Sequence, residues 1–274
     1  MIPESKASSR IENIPTLTLC EKVKEKLIIF LENKKGSRKM RYKQIIFDVD
    51  DTIIDFAATE DFALHSLFEK NHWPLNAEIQ KQYHSYNQGL WRKLEQGELT
   101  YEELSEKTFH DFIKQQFDLE IDGKKAMDEY RSYFGESHKL LPGVKDTLKF
   151  AKKQGYKLTV LSNGEKFMQN HRLELAGVKK YFDLIVTSEE AHYQKPDQHA
   201  FDYFFSRTEI GPSETIFFGD GLQSDIMGAQ QYGFDSIWYN HRHRKNALNL
   251  RPLFEVENYP EFVKLMQNDF QKKY

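Results

Sequence analysis

The sequence predicts an α/β fold: a doubly wound parallel sheet with a helical insertion after its first strand. Three observations predict it. From Leu140 onward, short apolar runs alternate with stretches of helical period, and strands separated by helices pair in parallel through right-handed crossovers. Residues 56–138 show almost no strand-like alternation and repeat Phe, Leu, Tyr, Glu and Lys at helical spacing. Several expected strands end in acidic or polar groups, and one edge of a parallel sheet gathers all such ends.

The bulk numbers narrow the function classes. The chain has 274 residues, which suits one large domain or a core with a smaller insertion. Hydrophobic residues are 39% and charged residues 30%, enough apolar material for a core in a soluble chain. The net charge of −3, with both signs mixed along the sequence, gives no case for nucleic acid or a membrane surface as partner. Cys20 is the only cysteine, so no intrachain disulfide can form. No apolar run approaches the ~20 residues that span a bilayer, and the first residues lack the pattern of a secretory signal. A cytoplasmic location is expected, and the oligomeric state is left open.

Residues 1–40 read as an N-terminal extension, partly helical or disordered. Leu19, Val23, Leu27, Phe30 and Leu31 recur at helical spacing until Gly36 and Ser37 end the pattern. A docking helix and a poorly anchored tail are both open, and the tail is preferred because termini are often loosely held. Ile45-Ile46-Phe47 then runs straight into Asp48-Val49-Asp50-Asp51-Thr52, a buried strand ending in acids. On extended backbone Asp48 and Asp50 share a face. Their mutual repulsion invites a hard divalent cation such as Mg2+. A solvated acidic turn is the plainer alternative.

In the insertion, Phe62, Leu64, Leu67 and Phe68 suggest one helix, broken between Asn71 and Pro74. Leu90, Trp91 and Leu94 suggest a second, ending near Gly97. Thr100 followed by Glu103 is a capping box that starts a third, continued by Leu104, Phe109, Phe112 and Ile113. Beyond the insertion, Pro142-Gly143 opens a helix ending near Gly155, and 158–161 is a strand. Ser162-Asn163-Gly164 leads into a helix to about Gly177, and 182–186 is the next strand. Residues 196–207 are helical, 215–218 form a strand ending in Gly219-Asp220-Gly221, 225–232 are helical and 236–239 are a final strand. The expected boundaries are thus 41–55 and 139–274 for the core and 56–138 for the insertion.

Asp48, Asp50, Ser162, Asn163, Lys195, Asp220 and Asp225 would all lie at one sheet edge. A small hydroxyl, a lysine and four carboxylates together can hold a metal and a phosphate. A phosphate dianion tolerates carboxylates only if a metal and a lysine neutralise charge. Ser162 and free N–H groups at a helix start can take phosphoryl oxygens. One carboxylate can act as nucleophile and another as acid and base.

These residues resemble the haloacid-dehalogenase-like (HAD) hydrolase superfamily. Its first motif, Asp-x-Asp-x-Thr, is met by Asp48, Asp50 and Thr52, and its second by Ser162 at the end of an apolar run. Its third, Lys-Pro, is met by Lys195-Pro196, and its fourth by Gly219, Asp220 and Asp225. Each is weak alone; four in order, each at an expected strand end, are strong. The resemblance covers residue 43 to about 240. It implies a Rossmann-like core with an α-helical cap domain, and Mg2+ as cofactor. Asp48 would be nucleophile and Mg2+ ligand. Asp50 would be acid and base and lend its backbone carbonyl to the metal. Thr52 would steady the loop beside the phosphate, Ser162 and Asn163 would bind phosphate, and Lys195 would offset charge. Asp220 and Asp225 would hold the metal.

Within that superfamily the chain is similar to house-cleaning pyrimidine 5′-nucleotidases, through Asn163-Gly164, Arg172-Leu173, Tyr181-Phe182-Asp183, Ser188-Glu189-Glu190 and the stretch from Leu90 to Thr100. The resemblance implies a small phosphate ester, a nucleotide, as substrate. A sugar-phosphate or phosphoglycolate phosphatase is the alternative, and a phospho-accepting receiver module the rival from another class. A dehalogenase is disfavoured by the acid at Asp50. Asp51, and the His192-Tyr193 pair before Lys-Pro, depart from positions where glycine is common. Trp91 reads as an aromatic of the insertion's own core and His192-Tyr193 as an exposed loop pair. The run from His241 to Lys245 reads as a solvated basic loop, and Asp55 has no assigned role.

Overall fold

The structure, a computed structural model, describes residues 40–95 and 98–271. The expected N-terminal helix and the helix end at Gly97 lie outside the described residues. Among the described residues, six strands form one wholly parallel sheet in the order β3-β2-β1-β4-β5-β6. They are β1 Gln44–Phe47, β2 Lys157–Ser162, β3 Leu184–Thr187, β4 Thr215–Gly219, β5 Asp235–Tyr239 and β6 Phe254–Val256. The chain builds outward from β1 to β3 on one side, then returns to lay β4 against the other side of β1. The β1/β4 pair is therefore the point where strand order reverses, the crevice where open α/β sheets bind ligands. Phe47 pairs in register with Val160 and with Phe218, so Asp48, Ser162 and Asp220 emerge at the same edge.

Four helices fill the connection between β1 and β2: α1 Phe56–Lys70, α2 Ala77–Glu95, α3 Tyr101–Phe117 and α4 Gly123–Glu136. The core helices follow as α5 Val144–Gln154, α6 Lys166–Leu175, α7 Ser188–Ala191, α8 Gln198–Phe205, α9 Gly228–Tyr232 and α10 Tyr259–Gln267. Alternation along the strands divides the core between the two faces of the sheet. Ile46 and Phe217 pack with Phe201 and Phe204 of α8, while Phe47 and Phe218 meet Phe262 of α10. The Phe218 and Phe262 rings stack at 4.0 Å.

Several elements differ from expectation, among them β3, β6 and α10. Strand β3 starts at Leu184 because the Phe182 N–H closes a tight turn on Lys179. Strand β6 is only three residues long, too short to show a period. Helix α10 carries a start signal that the sequence reading passed over: Asn258 caps Glu261 N–H, and Pro260 follows in the first turn.

The four inserted helices share a core of Leu64, Leu67, Phe68, Tyr83, Phe109, Phe112, Ile113 and Met127. Phe62, expected on that apolar face, is 46% exposed instead. The Thr100–Glu103 capping box forms with both of its arms. Helix α4, which the sequence reading did not single out, packs tightly on α3 at Gly123. A Cβ there would lie 2.0 Å from the Glu106 carbonyl and 2.8 Å from His110 Cβ. Backbone cannot yield as a flexible side chain can, so Gly123→Ala should destabilise the protein by about 1–3 kcal/mol through overpacking. Urea denaturation followed by circular dichroism measures this, and an unchanged midpoint would contradict the packing described.

Candidate active site

The site begins where β1 runs out. The Val49 carbonyl accepts the N–H groups of Thr52, Ile53 and Ile54 at 3.3, 2.7 and 2.9 Å, and Asp51 N–H returns to Ile54 O. This tight loop buries Val49, Ile53 and Ile54 and leaves Asp48 and Asp50 at the sheet edge. Asp51 takes a left-handed φ of 57°, and its carboxylate accepts the Phe56 N–H and a bond from Arg242. Asp55, which had no assigned role, caps α1 by accepting the Ala58 N–H.

Asp48, Asp220 and Asp225 converge so that one carboxylate oxygen from each lies within 4.8 Å of the others. Lys195 Nζ sits between two of them, 2.7 Å from Asp48 Oδ1 and 2.7 Å from Asp225 Oδ1. Its side chain is 1% exposed. Asp225 is fixed in turn by Gly221 N–H and the Ser224 hydroxyl. A Cβ on Gly219 would come within 2.3 Å of Asp225 Oδ2, so only glycine lets the two approach.

Burial pushes the Asp48 carboxyl well above the usual range, with Asp225 and Asp220 adding to the rise and Lys195 opposing it. Burial, then Asp225, push Asp220 up to about 7 against the pull of Arg244. Burial alone would lower the Lys195 ammonium, yet Asp225 and Asp48 together hold it above its normal value. Such a set of crowded, partly neutralised carboxylate oxygens fits a hard divalent cation.

The remaining expected residues are placed differently. The Asp50 carboxylate stands apart from the cluster: Oδ1 accepts from Arg172 at 2.7 Å and Oδ2 from Gln169 at 2.7 Å. Thr52, expected beside the phosphate, is fully buried behind Asp220, where its hydroxyl accepts the Asp220 N–H. The Asn163 amide pairs in both directions with the Lys195 backbone, at 2.9 and 2.7 Å. That pairing uses up its best groups and makes it a support for Lys195. Ser162 Oγ accepts from Gly164 N–H and from Gln169, which leaves its own O–H free to donate.

The basic run after β5 is not merely solvated. Arg242 reaches Asp51, and Arg244 binds both the carbonyl and the carboxylate of Asp220 at 2.7 and 2.5 Å. Charge balance is the signal for these arginines, since the three clustered aspartates and neighbouring Asp51 need more cations than one lysine.

Above the acids lies a cavity of about 430 Å³. Phe56, Trp91, Leu104, Met127 and Phe134 of the inserted helices form its apolar walls, and Asp48, Asp50, Ser162 and Asp220 its polar floor. Trp91 is 44% exposed at this cavity rather than part of the insertion's core. His192 and Tyr193 are exposed and do not line the cavity; Tyr193 stacks on His199. Three polar groups line the apolar part. The Tyr83 hydroxyl is buried beside that of Tyr130. Asn87 is buried, and Glu60 faces His84 at 3.9 Å, with the charges of Asp61, Asp51 and Arg242 also acting on it. Burial raises the Glu60 carboxyl above its normal range.

The profile of the haloacid dehalogenase-like hydrolases matches residues 42–233. YfnB of Bacillus subtilis is 35% identical over 82% of this chain and 96% of its own length. Its crystal structure, bound to magnesium and revealing interdomain movement, superposes with a TM-score of 0.78 over 82% of this chain and 99% of that one. The pyrimidine 5′-nucleotidase PynA of Streptococcus pneumoniae is 30% identical over 85% of this chain and 99% of its own. The pyrimidine 5′-nucleotidase YjjG of Escherichia coli is 28% identical over 83% and 99%. Among the described residues no helix is long and apolar enough to cross a membrane.

Lys195 is the buried cation between Asp48 and Asp225. Lys195→Met should cost about 3–5 kcal/mol of stability, the usual loss when one partner of a buried ion pair is removed. Urea denaturation in the presence of chelator measures it, and a loss under 1 kcal/mol would contradict this assignment.

Proposed function

The chain belongs to the haloacid dehalogenase-like hydrolases, and on that premise we propose that it is a Mg2+-dependent phosphatase of nucleoside 5′-monophosphates, pyrimidine nucleotides above all. The observation that carries the substrate choice is the cavity. Apolar walls interrupted by the polar groups of Tyr83, Asn87 and Glu60 suit a flat ring with polar edges. A linear sugar phosphate could bond to those groups through its hydroxyls but would leave the apolar walls uncovered. The pyrimidine nucleotidases among the relatives support the same reading.

The reaction follows from the floor of the site. Asp48 attacks phosphorus, the ester P–O bond breaks, and the phosphoryl group passes to the Asp48 carboxylate. Asp50 gives its proton to the departing ribose oxygen. A water then attacks the aspartyl-phosphate while Asp50 takes back a proton, the Asp48–phosphoryl bond breaks, and inorganic phosphate leaves. Ser162 donates its free O–H to a phosphoryl oxygen, and Lys195 offsets the negative charge around it. Mg2+, held by Asp48, Asp220, the Asp50 carbonyl and Asp225, would neutralise phosphoryl charge. The four helices between Phe56 and Glu136 serve as the cap that excludes water and meets the leaving group.

Two measurements test this. Asp48→Asn should abolish acid-trapped phosphoenzyme, whereas Asp50→Asn should lower turnover by about 10²–10⁴-fold. Trapped phosphoenzyme in Asp48→Asn would remove it as nucleophile. Against a panel of phosphate monoesters in Mg2+, kcat/KM should be highest for pyrimidine nucleoside 5′-monophosphates, and Tyr83→Phe should narrow their lead. Sugar phosphates outranking every nucleotide would overturn the substrate assignment.

A further inference from the structure

One core side chain joins the inserted helices to Asp50. Arg172 of α6 is fully buried. Its Nη1 donates to Asp50 Oδ1 at 2.7 Å, its Nη2 to the Thr59 hydroxyl at 3.1 Å and its Nε to the Ser137 carbonyl at 3.0 Å. The guanidinium also lies 4.8 Å from the ring centre of Phe134. Thr59 is in the first turns of α1, on the way out of the core. Ser137 directly follows α4, on the way back. The two crossings are tied to each other as well, by the Ser137 hydroxyl donating to Thr59 Oγ1 at 3.1 Å.

We propose that Arg172 is a positioning residue that couples the two cap connections to the orientation of the Asp50 carboxylate. The rigid guanidinium fork binds Asp50, Thr59 and Ser137, and also reaches Gln169 Oε1 at 3.4 Å, so none of these partners shifts without changing the other contacts. In the described arrangement both Asp50 oxygens are taken, one by Arg172 and one by Gln169, and the carboxylate stands apart from Asp48. With both ties in place the fork holds the Asp50 carboxylate at the cavity floor, and displacement of Thr59 and Ser137 relative to α6 loosens this grip and turns Asp50 away from the leaving oxygen. Proton transfer is thereby tied to the position of the cap helices. Arg172 makes no direct bond to Asp48, Asp220 or Asp225, and reaches Ser162 only through Gln169.

This inference rests on the proposed acid–base function of Asp50, and the test separates the two. The value of kcat/KM reports steps through departure of the leaving group. A nucleoside leaving group needs a proton; p-nitrophenolate does not. The ratio of kcat/KM for uridine 5′-monophosphate to that for p-nitrophenyl phosphate therefore reads the acid. Asp50→Asn should lower this ratio, and Arg172→Lys, which keeps the charge and loses the fork, should lower it at least about tenfold. In the Asp50→Asn background, Arg172→Lys should lower it no further. Thr59→Val keeps the Arg172–Asp50 pair and removes the bonds that Arg172 and Ser137 make to the Thr59 hydroxyl; it should lower the ratio as well, which a purely structural contribution would not. If Arg172→Lys does not fold, Thr59→Val decides alone. An unchanged ratio in folded Arg172→Lys or in Thr59→Val, or an additive effect with Asp50→Asn, would overturn the coupling. An unchanged ratio in Asp50→Asn itself would instead refute the acid–base assignment.

Discussion

The buried bridge from Asp48 through Lys195 to Asp225 is the constraint on which the rest of the site depends. Three aspartates drawn together at low exposure repel one another, and no sheet edge would hold them without internal cations. Lys195 answers part of that charge, and its position is fixed from behind by the two-way bond between its backbone and the Asn163 amide. Arg244 answers another part at Asp220. The residues around the acids are best understood by which of these charges they place. Gly219 lets Asp225 come close, Thr52 locks Asp220, and Ser224 and Gly221 orient Asp225.

The electrostatics sort the carboxylates into two kinds. Asp48 and Asp220 sit in a crowded, desolvated group whose proton affinity is raised, a state suited to exchanging protons for a divalent cation. Asp50 is separate, held by an arginine and an amide on a different helix. Two residues apart on one loop, Asp48 and Asp50 meet wholly different surroundings. That divergence is what an enzyme needs when one carboxylate attacks and its neighbour handles protons.

Much of this was legible in the sequence because strand ends are local signals. Apolar runs breaking into Asp48, Ser162 and Asp220 are visible residue by residue, and the parallel topology then brings them together. Strand β6 and helix α4 escaped for different reasons: one is three residues long, and the other lies in a stretch whose apolar face is diluted by charge. The partners of the acids were the harder part. Nothing near Arg172 or Arg244 in sequence says that either will meet an aspartate 122 or 24 residues away. Thr52 and Asn163 show the converse. Their place in the motif was correct, but hydrogen-bonding groups are satisfied by the nearest complementary atoms. Those atoms are Asp220 N–H and the Lys195 backbone.

The two departures from glycine in the motif regions are explained by backbone conformation. Asp51 and His192 have φ of 57° and 61°, in the left-handed region that glycine enters freely. A side chain there costs roughly 1–2 kcal/mol unless local bonds compensate. At Asp51 they do, since its carboxylate accepts the Phe56 N–H at the start of α1 and the Arg242 guanidinium. An acid at this position therefore performs a task that glycine could not. It anchors the first cap crossing to the loop that carries Asp48 and Asp50, and it recruits the basic segment whose next arginine, Arg244, secures Asp220. At His192, which ends α7, the structure shows no such compensation, and its neighbour Tyr193 makes its ring contact with His199, away from the cavity. The first departure is thus built into the site's charge network, while the second lies outside it. Of the two, Asp51 is the one that bears on how the cap meets the acids.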